Sequence, residues 1–184
     1  MKLGVFGPQG SGKTTIAMLF ARMLTKDNPD VKIYTNINAT GENLITISDL
    51  ADLPFQDNKP KVFILDEAMF SIDSRNSNSK QNKVWTKALA LFRKSDVVLA
   101  IFVTHTPSML DIRIRDQLDY IIMARKNPTH FDYLLYEVIS KISIPLQMAR
   151  TKNVFNFANF DTKDFPDPIT TERLELLPIF KILK

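Results

Sequence analysis

The sequence predicts an α/β fold, a three-layer sandwich in which helices flank a mainly parallel central sheet. Short apolar runs typical of buried strands alternate with segments of helical periodicity, the pattern of strand–helix–strand units. A glycine-rich loop, Gly7–Thr14, separates the first apolar run from the first helical segment. The most apolar run, Val97–Val103, is typical of a central strand covered on both faces. We expect one domain over residues 1–184, with a core at 1–145 and a C-terminal extension of that domain at 146–184.

The individual elements follow from local patterns. Strands are expected at residues 2–6, 31–37, 61–65, 97–103, 120–124 and 131–139, and helices at 15–24, around 47–53, at 84–94 and at 113–118. The helix at 84–94 follows from apolar residues spaced along one helical face. Residues 71–82 are polar and low in complexity, which indicates a loop.

Composition excludes several classes of protein. The chain has 184 residues, 45% of them hydrophobic and 24% charged, as in ordinary globular proteins. It has no apolar run long enough for a membrane span and no secretory leader pattern, so we expect a cytoplasmic protein. The absence of cysteine excludes disulfides and thiolate metal sites. The net charge of +4 mildly favours an anionic partner such as nucleic acid.

The loop after the first strand fits the phosphate-binding pattern G-x-x-x-x-G-K-[ST], called a P-loop. A strand, this loop and a helix together direct several backbone N–H groups at a phosphate. Lys13 is expected to reach the outer phosphates of ATP, and the Thr14 hydroxyl to bind Mg²⁺. The predicted nucleotide-binding residues are Gly7, Pro8, Gln9, Gly10, Ser11, Gly12, Lys13, Thr14 and Thr15.

Two acidic residues end the strand at 61–65 and predict the second half of the site. Asp66 is expected to hold Mg²⁺ together with Thr14, and Glu67 to act as the general base for an attacking water. P-loop kinases of small molecules do not usually carry this second acid, so the pair favours ATP hydrolysis. A nucleotide-binding switch or a small-molecule kinase is the alternative. The two motifs together indicate a P-loop NTPase fold of the RecA-like (ASCE) type.

The strand at 97–103 leads into Thr104 and His105. We expect this strand to lie between the P-loop strand and the Asp66 strand, which would bring Thr104 and His105 near the γ-phosphate. His105 is the predicted catalytic residue here, because a polar side chain at this point can sense the phosphate or orient the water.

The stretch Arg93–Ala100, continuing into Thr104–Asp111, resembles the FtsK–HerA superfamily of DNA-pumping ATPases. The match continues through Arg113–Lys126. Tyr34–Ile37 resembles the zonula occludens toxin-like branch, and Phe160–Asp164 resembles a C-terminal segment of compact viral packaging members. The resemblance covers roughly residues 1–165, and two departures are evident. His105 stands where the superfamily has a glutamine, and the chain lacks the additional domains of the large cellular translocases.

The resemblance implies a ring, usually a hexamer, around double-stranded DNA, with sites shared between subunits. Arg93 matches the position of the arginine that completes a neighbour's site; Arg75, Arg113 and Arg115 are the alternatives. The compact size favours packaging of viral DNA into a capsid, with a capsid or portal protein as partner. The alternative is a virion assembly or secretion ATPase of the toxin-like type.

Two segments are candidates for contact with DNA. The loop Ser71–Lys83 carries Arg75, Lys80 and Lys83 among small polar residues and could hold phosphates without reading sequence. An ordinary solvated surface loop is an equally good interpretation. Phe155, Phe157 and Phe160 could stack on bases, but their spacing favours core or subunit contacts.

Overall fold

The computed structural model describes residues 1–26, 28–72, 80–161 and 165–181. The strands within these ranges are β1 Lys2–Phe6, β2 Lys32–Thr35, β3 Leu44–Thr46, β4 Lys61–Leu65, β5 Val97–Thr104, β6 Tyr120–Lys126, β7 His130–Glu137 and β8 Ser143–Ala149. The α-helices are α1 Lys13–Lys26, α2 Lys80–Phe92, α3 Ile112–Arg115, α4 Lys152–Ala158 and α5 Pro178–Lys181.

All the described strands form one sheet in the order β3-β2-β4-β5-β1-β6-β7-β8. In this order, the strands β3, β2, β4, β5, β1 and β6 run parallel to one another. β7 pairs antiparallel with β6, and β8 pairs antiparallel with β7. β5 lies between β1 and β4, which confirms the predicted strand order. Phe6 pairs with Thr104, and Leu65 pairs with Phe102. The carboxyl ends of β1, β4 and β5 therefore meet at one edge, where ligands bind in open α/β sheets.

Helices cover both faces of this sheet, which confirms the three-layer α/β fold. Alternate residues of each central strand point to opposite faces. On one face, Phe63 and Phe102 pack with Trp85 of α2, and all three side chains are fully buried. On the other face, α1 and α4 cover a second cluster that includes Val5 and Ile101. The two cores hold the sheet as a rigid frame for the loops at its carboxyl edge.

Several boundaries differ from the predictions. Only a short 3₁₀ turn, Leu50–Asp52, forms within the predicted helix at 47–53. α2 begins at Lys80 rather than at Val84. Lys80 and Lys83 therefore belong to a helix, and their prediction as part of a loop is wrong. Arg75 of that loop lies outside the described residues. β3, β8 and α4 were not predicted, because each is short or only partly buried and shows weak hydrophobic periodicity.

β8 forms one open edge of the sheet and contains Pro145. The backbone N–H of Glu137 donates to Ile142 O (2.9 Å), and that of Arg150 donates to Thr129 O (3.1 Å). Because hydrogen-bonded pairs alternate along an antiparallel ladder, even-numbered residues of β8 bond to β7. The backbone polar groups of odd-numbered residues, Pro145 among them, face outward. Among the described helices, none has the length and apolarity needed to cross a membrane.

Candidate active site

A cleft of about 560 Å³ opens at the carboxyl edge of the sheet. Gly12, Lys13 and Thr14 line it from the P-loop side, and Glu67 and His105 line it from the ends of β4 and β5. The sheet order therefore brings together three segments that are far apart in the sequence, as the motifs predicted.

The P-loop is packed tightly against β6 and β7. Gly12 has a φ of +82°, and a Cβ atom at this position would lie 2.5 Å from the hydroxyl oxygen of Tyr133. That hydroxyl donates a hydrogen bond to Gly12 O at 3.0 Å. Gly7 is equally restricted, since its Cβ would lie 2.4 Å from Ala124 O. Only glycine fits both the backbone angles and the space. Tyr133 is thus a support of the loop that sequence reasoning missed.

Hydrogen bonds connect both Lys13 and the end of β5 to the P-loop. The Gly7 N–H donates to His105 O at 3.0 Å, which fixes His105 beside the P-loop. Lys13 Nζ donates to Pro8 O at 3.2 Å. Burial lowers the pKa of Lys13, and the nearby carboxylates of Glu67 and Asp66 partly oppose that effect.

Thr14 and Asp66 contact each other, as expected for a shared metal site. The Thr14 hydroxyl donates to Asp66 Oδ2 at 2.8 Å. Burial raises the pKa of Asp66 to about 6, although its hydrogen bond from Thr14 acts in the opposite direction. Hydroxyl and carboxylate oxygens are the ligands that Mg²⁺ prefers, and a cation here would offset the desolvation of Asp66. The residues present therefore fit Mg²⁺.

Glu67 has the geometry of a reactive residue. Its backbone is left-handed (φ 46°, ψ 47°), which costs a non-glycine residue about 1–3 kcal/mol. Its Oε2 is buried and has no hydrogen-bond partner among the described residues. His105 Nε2 lies 3.7 Å from this oxygen. The Glu67 side chain also lines the cleft, so its carboxylate is placed to accept a proton from a water next to the phosphate.

Thr104 and the candidate arginines Arg93, Arg113 and Arg115 do not line the cleft. The Thr104 hydroxyl donates to Met69 Sδ (3.3 Å), so its side chain is not directed at the phosphate position. Arg93 lies in the turn before β5, at the end of the sheet where the parallel strands begin, opposite the cleft. The length of β5 separates it from the cleft by roughly 20–25 Å. Arg113 pairs with the buried carboxylate of Asp111 at 3.2 Å, and Arg115 lies near Pro107 O.

Another part of the cleft wall consists of aromatic and basic side chains. The sequence alone did not assign these residues to the nucleotide. Phe131, Arg150 and Phe155 line it on the side of β7 and β8. The Arg150 guanidinium lies 5.0 Å from the centre of the Phe131 ring, and Phe155 contacts the same ring edge-on. Phe157, by contrast, is not part of the lining. The only sequence signal was the high phenylalanine content of the C-terminal part.

Comparisons with known proteins agree with this fold. The model of the ATPase family associated with various cellular activities (AAA) matches residues 3–126. The N-terminal domain of zonular occludens toxin from Neisseria meningitidis is similar in structure, with a TM-score of 0.58 and 20% identity over 87% of this chain and 98% of that chain. B204, the DNA-packaging ATPase from Sulfolobus turreted icosahedral virus, has a TM-score of 0.58 and 17% identity over 78% of this chain and 95% of its own.

The genome packaging NTPase B204 from Sulfolobus turreted icosahedral virus 2, in complex with ATP-γS, is a further structural relative. Its TM-score is 0.56, with 17% identity over 78% of this chain and 95% of that chain. A comparison with curated protein sequences finds no match. At these identities, the structural likenesses establish the fold alone.

Proposed function

Because this chain belongs to the AAA family of ATPases, we propose that it is a motor that couples ATP hydrolysis to the movement of double-stranded DNA. We further propose that it packages viral DNA into a capsid as a ring, most simply a hexamer, with a capsid or portal protein as its partner. The resemblance of its motifs to the FtsK–HerA superfamily supports this proposal. So does the structural likeness to B204, which is a DNA-packaging ATPase.

Each residue of the two sequence motifs has a place in hydrolysis. The P-loop N–H groups and Lys13 hold the phosphates, and Glu67 accepts the proton of the attacking water. His105, held beside Gly7, contacts the γ-phosphate or that water. Thr14 and Asp66 would hold Mg²⁺, which supplies charge neutralisation at the β- and γ-phosphates.

The observation that carries the proposal is the position of Arg93. The end of the cleft marked by Glu67 and His105 has no arginine among the described lining residues. Arg93 is exposed at the opposite edge of the sheet and cannot reach the cleft of its own subunit, so any catalytic role that it has must be in the site of another subunit. An arginine supplied in this way is worth ~10³–10⁵ in rate. This arrangement supports a ring in which each site is shared between two subunits.

The surface of α2 supports DNA as the cargo. Residues 80–94 contain five basic residues and no acidic ones. Lys83, Lys87 and Lys94 are exposed, and their spacing of four and seven residues aligns them along one side of the helix and the turn that follows. A basic stripe of this kind binds phosphates independently of sequence. The proposed DNA contact is therefore the face of α2.

The test is ATP hydrolysis with and without linear duplex DNA, repeated for mixtures of Arg93→Ala and Lys13→Ala subunits. We expect DNA to stimulate the wild type and each variant alone to be inactive. A mixture should regain activity, because some sites combine an intact Lys13 with a neighbour's intact Arg93. Arg125→Ala, which removes an exposed arginine outside the cleft, is the control and should behave as the wild type.

Two outcomes would contradict the proposal. No response to DNA and no rescue in mixtures would favour the alternative, an assembly or secretion ATPase stimulated by a protein partner. In Glu67→Gln, we expect nucleotide binding without hydrolysis. Normal hydrolysis by this variant would remove Glu67 as the general base.

A further inference from the structure

We propose that Phe131, Arg150 and Phe155 form the seat for the base of the nucleotide, and that this seat holds purines by stacking without distinguishing ATP from GTP. The proposal rests on nucleotide binding by the P-loop but not on DNA movement or ring formation. It concerns the part of the cleft farthest from Glu67.

The order of the strands fixes the direction in which the nucleotide lies. Glu67 and His105 follow β4 and β5, which stand on one side of β1 and its P-loop. Phe131 is the second residue of β7 and Arg150 follows β8, both on the other side of β1. Neighbouring strands are about 4.8 Å apart, so β4 and β7 each lie about 10 Å from β1. With the γ-phosphate near Glu67, the base extends toward β7.

All three residues reach the same edge as the P-loop. Phe131 pairs with Lys126 at the carboxyl end of β6, and Met148, near the carboxyl end of β8, pairs with Phe131. Phe131 also lies directly against the P-loop, since a Cβ on Gly12 would come within 2.8 Å of its ring. The end of the cleft and the phosphate-binding loop therefore share a wall.

The chemistry of this wall is that of a stacking surface. The Arg150 guanidinium lies over the Phe131 ring, and Phe155 meets that ring edge-on at a centroid distance of 6.2 Å. Phe131 is 3% exposed and held in the core, whereas Arg150 is exposed and Phe155 is half-buried. Bases stack on aromatic rings and on guanidinium planes alike. Arg150 and Phe155 are thus the accessible members of the seat.

Among the lining residues that the structure describes, little would distinguish one purine from the other. Stacked on a base, the Arg150 guanidinium holds its N–H donors in a plane parallel to the base, so they do not meet the base edge where adenine and guanine differ. Asn38, a lining amide, follows β2 at the opposite end of the cleft. Asp161 also lines the cleft but already has an interaction partner. Stacking, which is tolerant of base identity, therefore dominates.

The test compares ligands with and without a base, in conditions that exclude hydrolysis. ADP, GDP and inorganic tripolyphosphate are titrated calorimetrically into the full chain with Mg²⁺ present. We expect ADP and GDP to bind the wild type within about fivefold of each other. Phe155→Leu keeps an apolar side chain in α4 but removes the ring, and Arg150→Gln removes the guanidinium. Each substitution should weaken the binding of ADP and of GDP about tenfold and leave the binding of tripolyphosphate unchanged.

Phe157→Leu is the matched control, because Phe157 is 41% exposed on the same helix and does not line the cleft. It should bind all three ligands as the wild type does. Equal weakening of tripolyphosphate in the Phe155 and Arg150 variants would assign these residues to the phosphates and overturn the proposal. Unchanged ADP binding in both variants would place the base elsewhere. GDP binding more than about tenfold weaker than ADP binding would overturn the lack of discrimination. If DNA does not stimulate hydrolysis but these titrations give the expected results, the proposed base seat is supported and the proposed DNA motor is contradicted.

Discussion

Asp66 is only 6% exposed, yet a carboxylate that holds a cation must be ionised. Its hydrogen bonds from the Thr14 hydroxyl and the Glu67 N–H favour the ionised form. Burial outweighs them and raises the pKa to about 6. The chain therefore maintains a carboxylate that is unfavourable for the folded state until a cation binds it.

This balance predicts that Asp66→Asn stabilises the metal-free protein. Asparagine can accept from the Glu67 N–H through Oδ1 and donate to the Thr14 hydroxyl oxygen through Nδ2, so both contacts remain without a charge. Above pH 6 we expect the variant to exceed the wild type by about 1–3 kcal/mol in free energy of unfolding. Between pH 6 and 3.8 the folded wild type binds more protons than the unfolded chain, so its stability rises as the pH falls and the difference disappears below about pH 4.

Urea denaturation in EDTA at pH 4.0 and 7.5 measures this difference. Asp30→Asn, at an exposed aspartate, is the control and should change the free energy of unfolding by less than about 0.5 kcal/mol. A variant of Asp66 that is less stable than the wild type at pH 7.5 would show that the ionised carboxylate is well solvated or paired.

At the scale of the elements, Asn36 connects the end of β2 to two other segments. Its side-chain amide donates to Asp66 O (2.9 Å) and to Asp167 O (3.0 Å), and its Oδ1 accepts from the Asp66 N–H (2.8 Å). Asn36 is buried, so these backbone groups have no ready access to water. One side chain thus fixes the end of β4, where both acidic residues stand, and anchors the C-terminal part of the chain.

We expect Asn36→Ala to lower the free energy of unfolding by about 1–3 kcal/mol, because it leaves buried backbone groups unpaired. It should also lower kcat, since Asp66 and Glu67 lose their fixed backbone. Asn28→Ala removes an exposed amide that bonds to Leu24 O, and it should cost less than about 0.5 kcal/mol. Chemical denaturation and steady-state hydrolysis measure the two effects; equal behaviour of the two variants would contradict this role.

The elements also show what the sequence could predict. β1, β4 and β5 are continuous apolar runs, and the P-loop and the acidic pair follow them directly, so local pattern placed both halves of the site. Tyr133 supports the P-loop and Arg150 lines the cleft, although both follow the P-loop by more than 100 residues, and only the pairing of β6, β7 and β8 brings them there. No local pattern encodes the pairing of β8, since it is an exposed edge strand with neither charges nor clear alternation.

At the scale of the whole molecule, positive charge is concentrated on α2 rather than spread evenly. The net charge is only +4, whereas residues 80–94 alone contribute +5. Most of the remaining charges therefore cancel. Attraction to a polyanion should be strongest at this helix, which lies on the sheet face opposite α1 and α4.

This distribution predicts a local effect on DNA binding. Substituting Lys83, Lys87 or Lys94 with Gln should weaken duplex binding and reduce the slope of log K against log salt by about 0.9 for each phosphate that the variant no longer neutralises. Lys26→Gln, at an exposed lysine at the end of α1, should leave the slope unchanged. Fluorescence anisotropy over a salt series gives these slopes. An equal decrease of the slope in all four variants would show that DNA binding depends only on the net charge of the protein.

Pro145 has a consequence for how copies of this chain can meet. A strand that ends a sheet offers a row of donors and acceptors to which another chain can add. In β8 the outward-facing positions are the odd-numbered ones, and at Pro145 the central donor of that row is missing. This interruption protects the uncharged strand from fibril-like stacking. It also disfavours an oligomer in which the sheet continues from copy to copy through β8.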